Sequence, residues 1–158
     1  MKEIKPIGVI HSPYTDLKNM PIQPKSAPEV EGQLEIFEEY TDGLKDLDGF
    51  SHIYILFSFH KSVRTDLIVK PFMDEKLRGV FSTRSPNRPN HIGISIVELV
   101  KVEENIVTVK GIDALDGTPL LDIKPYMRKF DEHTTSREGW QDNNIDDIKD
   151  IKSDDRFL

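Results

Sequence analysis

The chain has 158 residues, 21 basic side chains against 28 acidic ones and a formal net charge of -7. Hydrophobic residues at 37% and charged residues at 31% describe a soluble globular chain, which excludes wholesale disorder and a membrane-embedded class. No apolar run reaches the roughly 20 residues that span a bilayer. The opening MKEIKPIGVIHSP does not read as a signal peptide, and the lack of cysteine excludes disulfides, thiolate metal sites and cysteine nucleophiles; a cytoplasmic setting is expected.

In chain order, Ile4 to Ile10 reads as a strand ended by the turn-forming HSPY. Gln33 to Phe37 alternates as a half-buried strand does, and Glu38 to Leu47, with Tyr40, Leu44 and Leu47 at helical spacing and Gly49 as a stop, is the best short helix. His52 to Phe59, HIYILFSF, is apolar on both faces and suits a central strand. A short strand is expected around Gly79 to Ser82, and a long one over Gly93 to Glu103. The turn Glu104-Asn105 leads to a return arm over Ile106 to Ile112, and after Asp116-Gly117-Thr118-Pro119 a last strand covers Leu120 to Ile123. Short strands punctuated by turns, with one or two short helices, give a mainly β fold, a barrel or a sandwich. Beyond Phe130 the periodicity is lost; Ile145, Ile148 and Ile151 are spaced by three, so a docked helix competes there with disorder. The chain divides accordingly into a β domain over 1–130 and an acidic tail over 131–158.

Charge follows the same division. The tail carries four basic and nine acidic residues, whereas Lys61 to Lys110 carries nine basic and six acidic. A mildly basic centre keeps nucleic acid open as a substrate, although a general duplex binder needs a far stronger bias. Within that centre lies FSTRSPNRPNHIG, Phe81 to Gly93, where Arg84 and Arg88 sit on a backbone stiffened by Pro86 and Pro89. Two planar guanidinium groups on a pre-set loop suit a carboxylate or phosphate; pairing with tail acids such as Asp146 and Asp147 is the competing reading. There is no GxGxxG, P-loop, GxSxG or HExxH motif. The five histidines do not form a metal set: His52 and His60 would stand roughly 26 Å apart on one strand. No metal is expected.

Five blocks, PIGVIHSPY, IQP, GFSHIYILFSFHKS, GVFSTRSPNRPNHIGIS and GIDALDGTPLLDIKPY, together resemble the TsaA-like family, the TrmO-type tRNA methyltransferases, over Ile4 to Phe130. The resemblance implies a small β-barrel that binds S-adenosylmethionine outside the Rossmann class, works as a homodimer, and methylates N6 of N6-threonylcarbamoyladenosine in the tRNA anticodon loop. A methyltransferase for another small acceptor and a non-catalytic S-adenosylmethionine-binding module are the alternatives. By motif position, cofactor contacts fall on Gln23, Pro24, Lys25, His60, Lys61, Arg84, Ile94, Leu115, Asp116, Gly117 and Thr118. Arg84 or Lys61 is expected to take the cofactor carboxylate, and main-chain atoms of Leu115 to Thr118 to read the adenine. Asp116 and Tyr126 are the candidate bases, and Arg88 and Lys124 are left for the acceptor.

Overall fold

Alternation turns the apolar segments into barrel walls. In β2 (Glu31–Ile36) Gly32, Leu34 and Ile36 are buried while the residues between them are exposed, and β3 (His52–Ser58) repeats the pattern with Ile53, Ile55 and Phe57 inward. Gly8 and Ile10 of β1 (Gly8–His11) and Gly93, Ser95, Val97 and Leu99 of β6 (Ile92–Glu103) also face inward. With β7 (Ile106–Lys110) and β8 (Thr118–Pro125), the six strands close into an antiparallel barrel of order β1-β2-β7-β6-β3-β8. These are the coordinates of a computed structural model, which describes residues 3–18, 20–22, 24–141 and 152–154.

The interior is filled rather than hollow, as in other small barrels. Ile10, Leu34, Ile53, Ile55, Val107, Val109, Ile112 and Leu120 are fully buried, and each such aliphatic side chain contributes about 1.5–3 kcal/mol on burial. The antiparallel order puts the connections 12–30, 59–91 and 111–117 at one end of the barrel and 37–51 and 104–105 at the other. The long connection 59–91 carries a two-stranded sheet, β4 (Ile68–Val69) with β5 (Arg78–Gly79), then a 3-10 turn at Val80–Ser82 and the arginine-rich loop.

Several expected elements change form. Glu38 to Leu47 is not one helix but two 3-10 turns, Glu38–Leu44 and Leu47–Gly49, divided where Asp46 takes φ 64. The strand expected at Gly79 to Ser82 is Arg78–Gly79 followed by a 3-10 turn. β1 starts at Gly8 rather than Ile4, and β7 ends at Lys110 because Gly111 turns with φ 79. β3 pairs with β6 and β8, but in a closed barrel no strand is more central than another, and its outward Tyr54, Leu56 and Ser58 are half-buried rather than enclosed. A short helix α1 (Arg128–Asp131) follows the barrel. Gln23 and the Ile145, Ile148 and Ile151 pattern lie outside the described residues, as do Asp146 and Asp147.

Two glycines test this packing. A Cβ on Gly8 would overlap the Glu35 carbonyl oxygen across the β1–β2 pair, whereas one on Gly43 meets nothing within 4 Å. Gly8→Ala is expected to destabilise by about 1–3 kcal/mol, as overpacking does; Gly43→Ala is expected to be neutral or slightly stabilising. Denaturant unfolding of the two variants checks this, and equal losses would contradict it.

Candidate active site

The three connections at one barrel end enclose a groove of ≈ 1160 Å³. Phe57 and Phe59, at the end of β3, contribute a wall of two rings packed edge to face, 5.4 Å between centroids. A Cβ on Gly93 would strike the Phe57 ring, so glycine at that point of β6 leaves room for the ring. Ser95 and Thr118, both buried, reach the groove from β6 and β8. Residues that follow the barrel return to the same groove: Arg137 and Glu138 line it, as does Ser153, which is held by Met20 and Leu17.

The arginine-rich loop is fixed by its own polar atoms. Thr83 Oγ1 donates to the Val80 carbonyl (2.8 Å) and accepts from the Ser85 amide (3.2 Å), and Ser85 Oγ accepts from the Asn87 amide (3.2 Å). Fully buried Asn87 ties the loop to the segment after β3: its Oδ1 accepts from Ser62 Oγ (2.6 Å), its Nδ2 donates to Asp66 Oδ2 (3.2 Å), and its carbonyl accepts from the Asp66 amide (3.1 Å). Arg88 Nη1 donates to the Thr83 carbonyl at 3.0 Å, which sets the guanidinium plane. The two arginines therefore stand on a loop whose buried polar groups are satisfied, so little ordering remains to oppose binding.

Nine of the residues expected at the site line this one groove: Pro24, Lys25, His60, Lys61, Arg84, Arg88, Ile94, Leu115 and Thr118. Asp116 and Gly117 sit exposed at the β7–β8 turn; the Asp116 carboxylate accepts from the Ser12 amide at 3.1 Å and lies 3.7 Å from His11 Nδ1. The amides of Asp116, Gly117 and Thr118 donate to Tyr14, Ile10 and Leu115, so these three donors serve the fold. Lys124 and Tyr126 belong to the opposite end of the barrel, Lys124 paired with Asp122 at 3.0 Å and Tyr126 packed on Tyr54, 5.7 Å between centroids.

Sequence reasoning missed Asp113. It follows Ile112 in the β7–β8 connection, hemmed in by protein yet keeping part of its surface open to the groove. Ser95 Oγ donates to its Oδ1 at 2.6 Å. Burial pushes its carboxyl up to about 7, against the opposing pull of the Ser95 hydrogen bond and the Arg84 charge. Burial, with the Asp113 charge, raises the Tyr14 phenol. His60 is held below its ordinary range by burial and by neighbouring Lys61, so it is neutral at pH 7. Among the described residues the groove then presents five cations, Lys25, Lys61, Arg84, Arg88 and Arg137, against three acids, Asp113, Glu138 and Asp154. No group of three or more histidine or acidic side chains among the described residues is placed to hold a metal.

The profile of the tRNA-methyltransferase O N-terminal domain matches residues 9–132. The chain belongs to this family. A probable S-adenosyl-L-methionine-binding protein of Pyrococcus abyssi is 47% identical over 154 residues, covering 98% of this chain and 84% of that protein. A mouse protein named tRNA (adenine(37)-N6)-methyltransferase is 40% identical over 134 residues, 80% of this chain but 31% of that longer protein. The crystal structure of TrmO from Pseudomonas aeruginosa resembles this fold with a TM-score of 0.74 at 37% identity, over 89% of this chain and 62% of that one. The barrel from Val9 onward and most of the groove lining lie within the matched segment, while Arg137, Glu138 and Ser153 come from beyond it.

The raised carboxyl of Asp113 has a consequence for stability. Across the interval from 3.8 to about 7 the folded protein keeps a proton that the unfolded chain has released, so stability falls as pH rises through that window. Asparagine carries no such charge. Without added ligand, Asp113→Asn is expected to raise the melting temperature at pH 8 and to change it little at pH 4; an equal shift at both would contradict the burial argument.

Proposed function

We propose that the groove binds S-adenosylmethionine and that the chain transfers its methyl group to N6 of N6-threonylcarbamoyladenosine in the tRNA anticodon loop. The observation that carries this reading is the convergence of Lys61, Arg84 and Arg88, with the acids Glu138 and Asp154, on one groove walled by aromatic rings. The ligand has a carboxylate, an ammonium, a sulfonium and an adenine, and the groove offers a counterpart for each: cations for the carboxylate, acids for the ammonium, and apolar and aromatic surface for the rest. At ≈ 1160 Å³ it exceeds the usual size of a small-molecule site and has room for an acceptor nucleoside beside the cofactor.

Lys61 and Arg84 face the groove from two separate parts of the connection 59–91 and hold the carboxylate end. The bound cofactor supplies a methyl group already activated by the sulfonium, so much of the rate comes from positioning the acceptor in line with it. Arg88, its plane set by the Thr83 carbonyl, is left to meet the threonyl carboxylate or an anticodon-loop phosphate. A groove with five cations against three acids suits RNA even though the whole chain is at -7. Exposed Val100 continues, on the outer face of β6, the apolar strip that Ile94 and Ile96 begin at the groove, which supports a homodimer, and a cytoplasmic setting follows from the substrate. A non-catalytic S-adenosylmethionine-binding role is the second reading, favoured by the name of the Pyrococcus relative.

Labelled methyl transfer separates the two. With tRNA from a strain that makes threonylcarbamoyladenosine, label is expected in the tRNA; with tRNA from a strain that does not, none is. Cofactor binding by calorimetry with no label in either tRNA would favour the binding role. Arg88→Ala, which removes a charge-assisted contact, is expected to lower kcat/KM for the modified tRNA by about 10–100-fold. Unchanged turnover would remove Arg88 from the acceptor site.

A further inference from the structure

We infer that Asp113 is the general base of the methyl transfer, taking the N6 proton of the acceptor, and that Ser95 positions its carboxylate; this inference rests on the function proposed above. The acceptor nitrogen in a carbamoyl-substituted adenine is flanked by a ring and a carbonyl that both draw on its lone pair, so it is a poor nucleophile until its proton begins to leave. A base is needed within hydrogen-bond reach of that proton. Asp116 and Tyr126, the bases expected from the sequence, are both turned away from the groove, Asp116 toward Ser12 and His11 and Tyr126 toward Tyr54. Asp113 opens into it, beside the arginine loop and on the side of the β7–β8 connection.

The arrangement around Asp113 fits the task. Ser95 Oγ donates to Oδ1 at 2.6 Å and the Asp113 backbone amide also favours the ionised form, while the residue keeps part of its surface on the groove. The charged and titratable groups that act on Asp113 are Arg84 from the arginine loop and Tyr14 from the segment after β1; Lys25, His60, Lys61 and Arg88 line the same groove. A carboxyl titrating at about 7 is a stronger proton acceptor than an ordinary aspartate and is still substantially ionised at neutral pH. In the step, the acceptor nitrogen forms its bond to the methyl carbon and the carbon–sulfur bond breaks with its electron pair staying on sulfur. The N6 proton passes to Asp113. The sulfonium charge and the carboxylate charge disappear together, leaving a neutral sulfide, a methylated N6 and a protonated Asp113.

The test measures kcat against pH for the wild type, Asp113→Asn and Ser95→Ala on tRNA carrying threonylcarbamoyladenosine, with cofactor affinity by calorimetry on each. For the wild type, kcat is expected to climb tenfold per pH unit at low pH and to level off once Asp113 is ionised; a limb that persists in Asp113→Asn would belong to another group such as His60. Asp113→Asn is expected to lose about 100-fold or more in kcat, together with the limb, while cofactor affinity stays within about threefold. Ser95→Ala removes a bond that favours the ionised carboxylate, so its midpoint is expected to move to higher pH. Asp113→Asn turning over normally at saturating cofactor, or losing only cofactor affinity, overturns the assignment and makes Asp113 a partner of the cofactor ammonium. A wild type that methylates no tRNA at any pH overturns the proposed function, and the base assignment with it.

Discussion

The barrel closes through β1, where Gly8 to Ile10 pair with Ile36 to Leu34 on one side and with Leu120 to Thr118 on the other. Everything that makes the groove depends on this closure. It fixes which connections share an end, and so brings the segment after β1, the arginine-rich loop and the β7–β8 connection around one opening. It also removes sheet edges, so the polar backbone of these strands is satisfied within the barrel and the loops are free to carry chemistry. Gly8 allows the close approach to Glu35 that the pairing needs.

Rigidity is then passed from barrel to loop. Phe59 donates its amide to the His91 carbonyl at 2.8 Å, which ties the two ends of the long connection together where β3 and β6 pair. Inside the connection, Asn87 links Ser62 and Asp66 to the arginine loop with both of its amide atoms engaged. A buried amide of this kind is costly when one partner is missing and specifies one arrangement when all are present. The arginines owe their placement to it, and a fold without a glycine-rich helix start gains a fixed set of donors for a charged ligand.

Much of this was legible in the sequence. The alternation of β2, the hairpin of β6 and β7, and the donor-rich loop between prolines all read directly from residue pattern. What pattern did not convey was which end of a strand a residue occupies. Asp116, Lys124 and Tyr126 lie within one motif, but β8 rises by about 3.3 Å per residue, so its two ends face opposite sides of the barrel. Asp113 and Asp116 show the same effect over a shorter span: one faces the groove and the other stands exposed at the turn. Asn87 was hidden for another reason, since a buried asparagine looks like any loop asparagine until its partners, 21 and 25 residues away, are in place. The single helix expected over Glu38 to Leu47 failed because Asp46 adopts a left-handed conformation that spacing does not reveal.

A crystal structure of the protein with S-adenosylmethionine bound tests the central claim most directly. The cofactor is expected in the groove, its carboxylate at Arg84 or Lys61 and its methyl carbon about 4–5 Å from the Asp113 carboxylate, the separation left when one acceptor nitrogen touches both. A cofactor seated elsewhere on the barrel, or one in the groove with its methyl group turned away from Asp113, would contradict it.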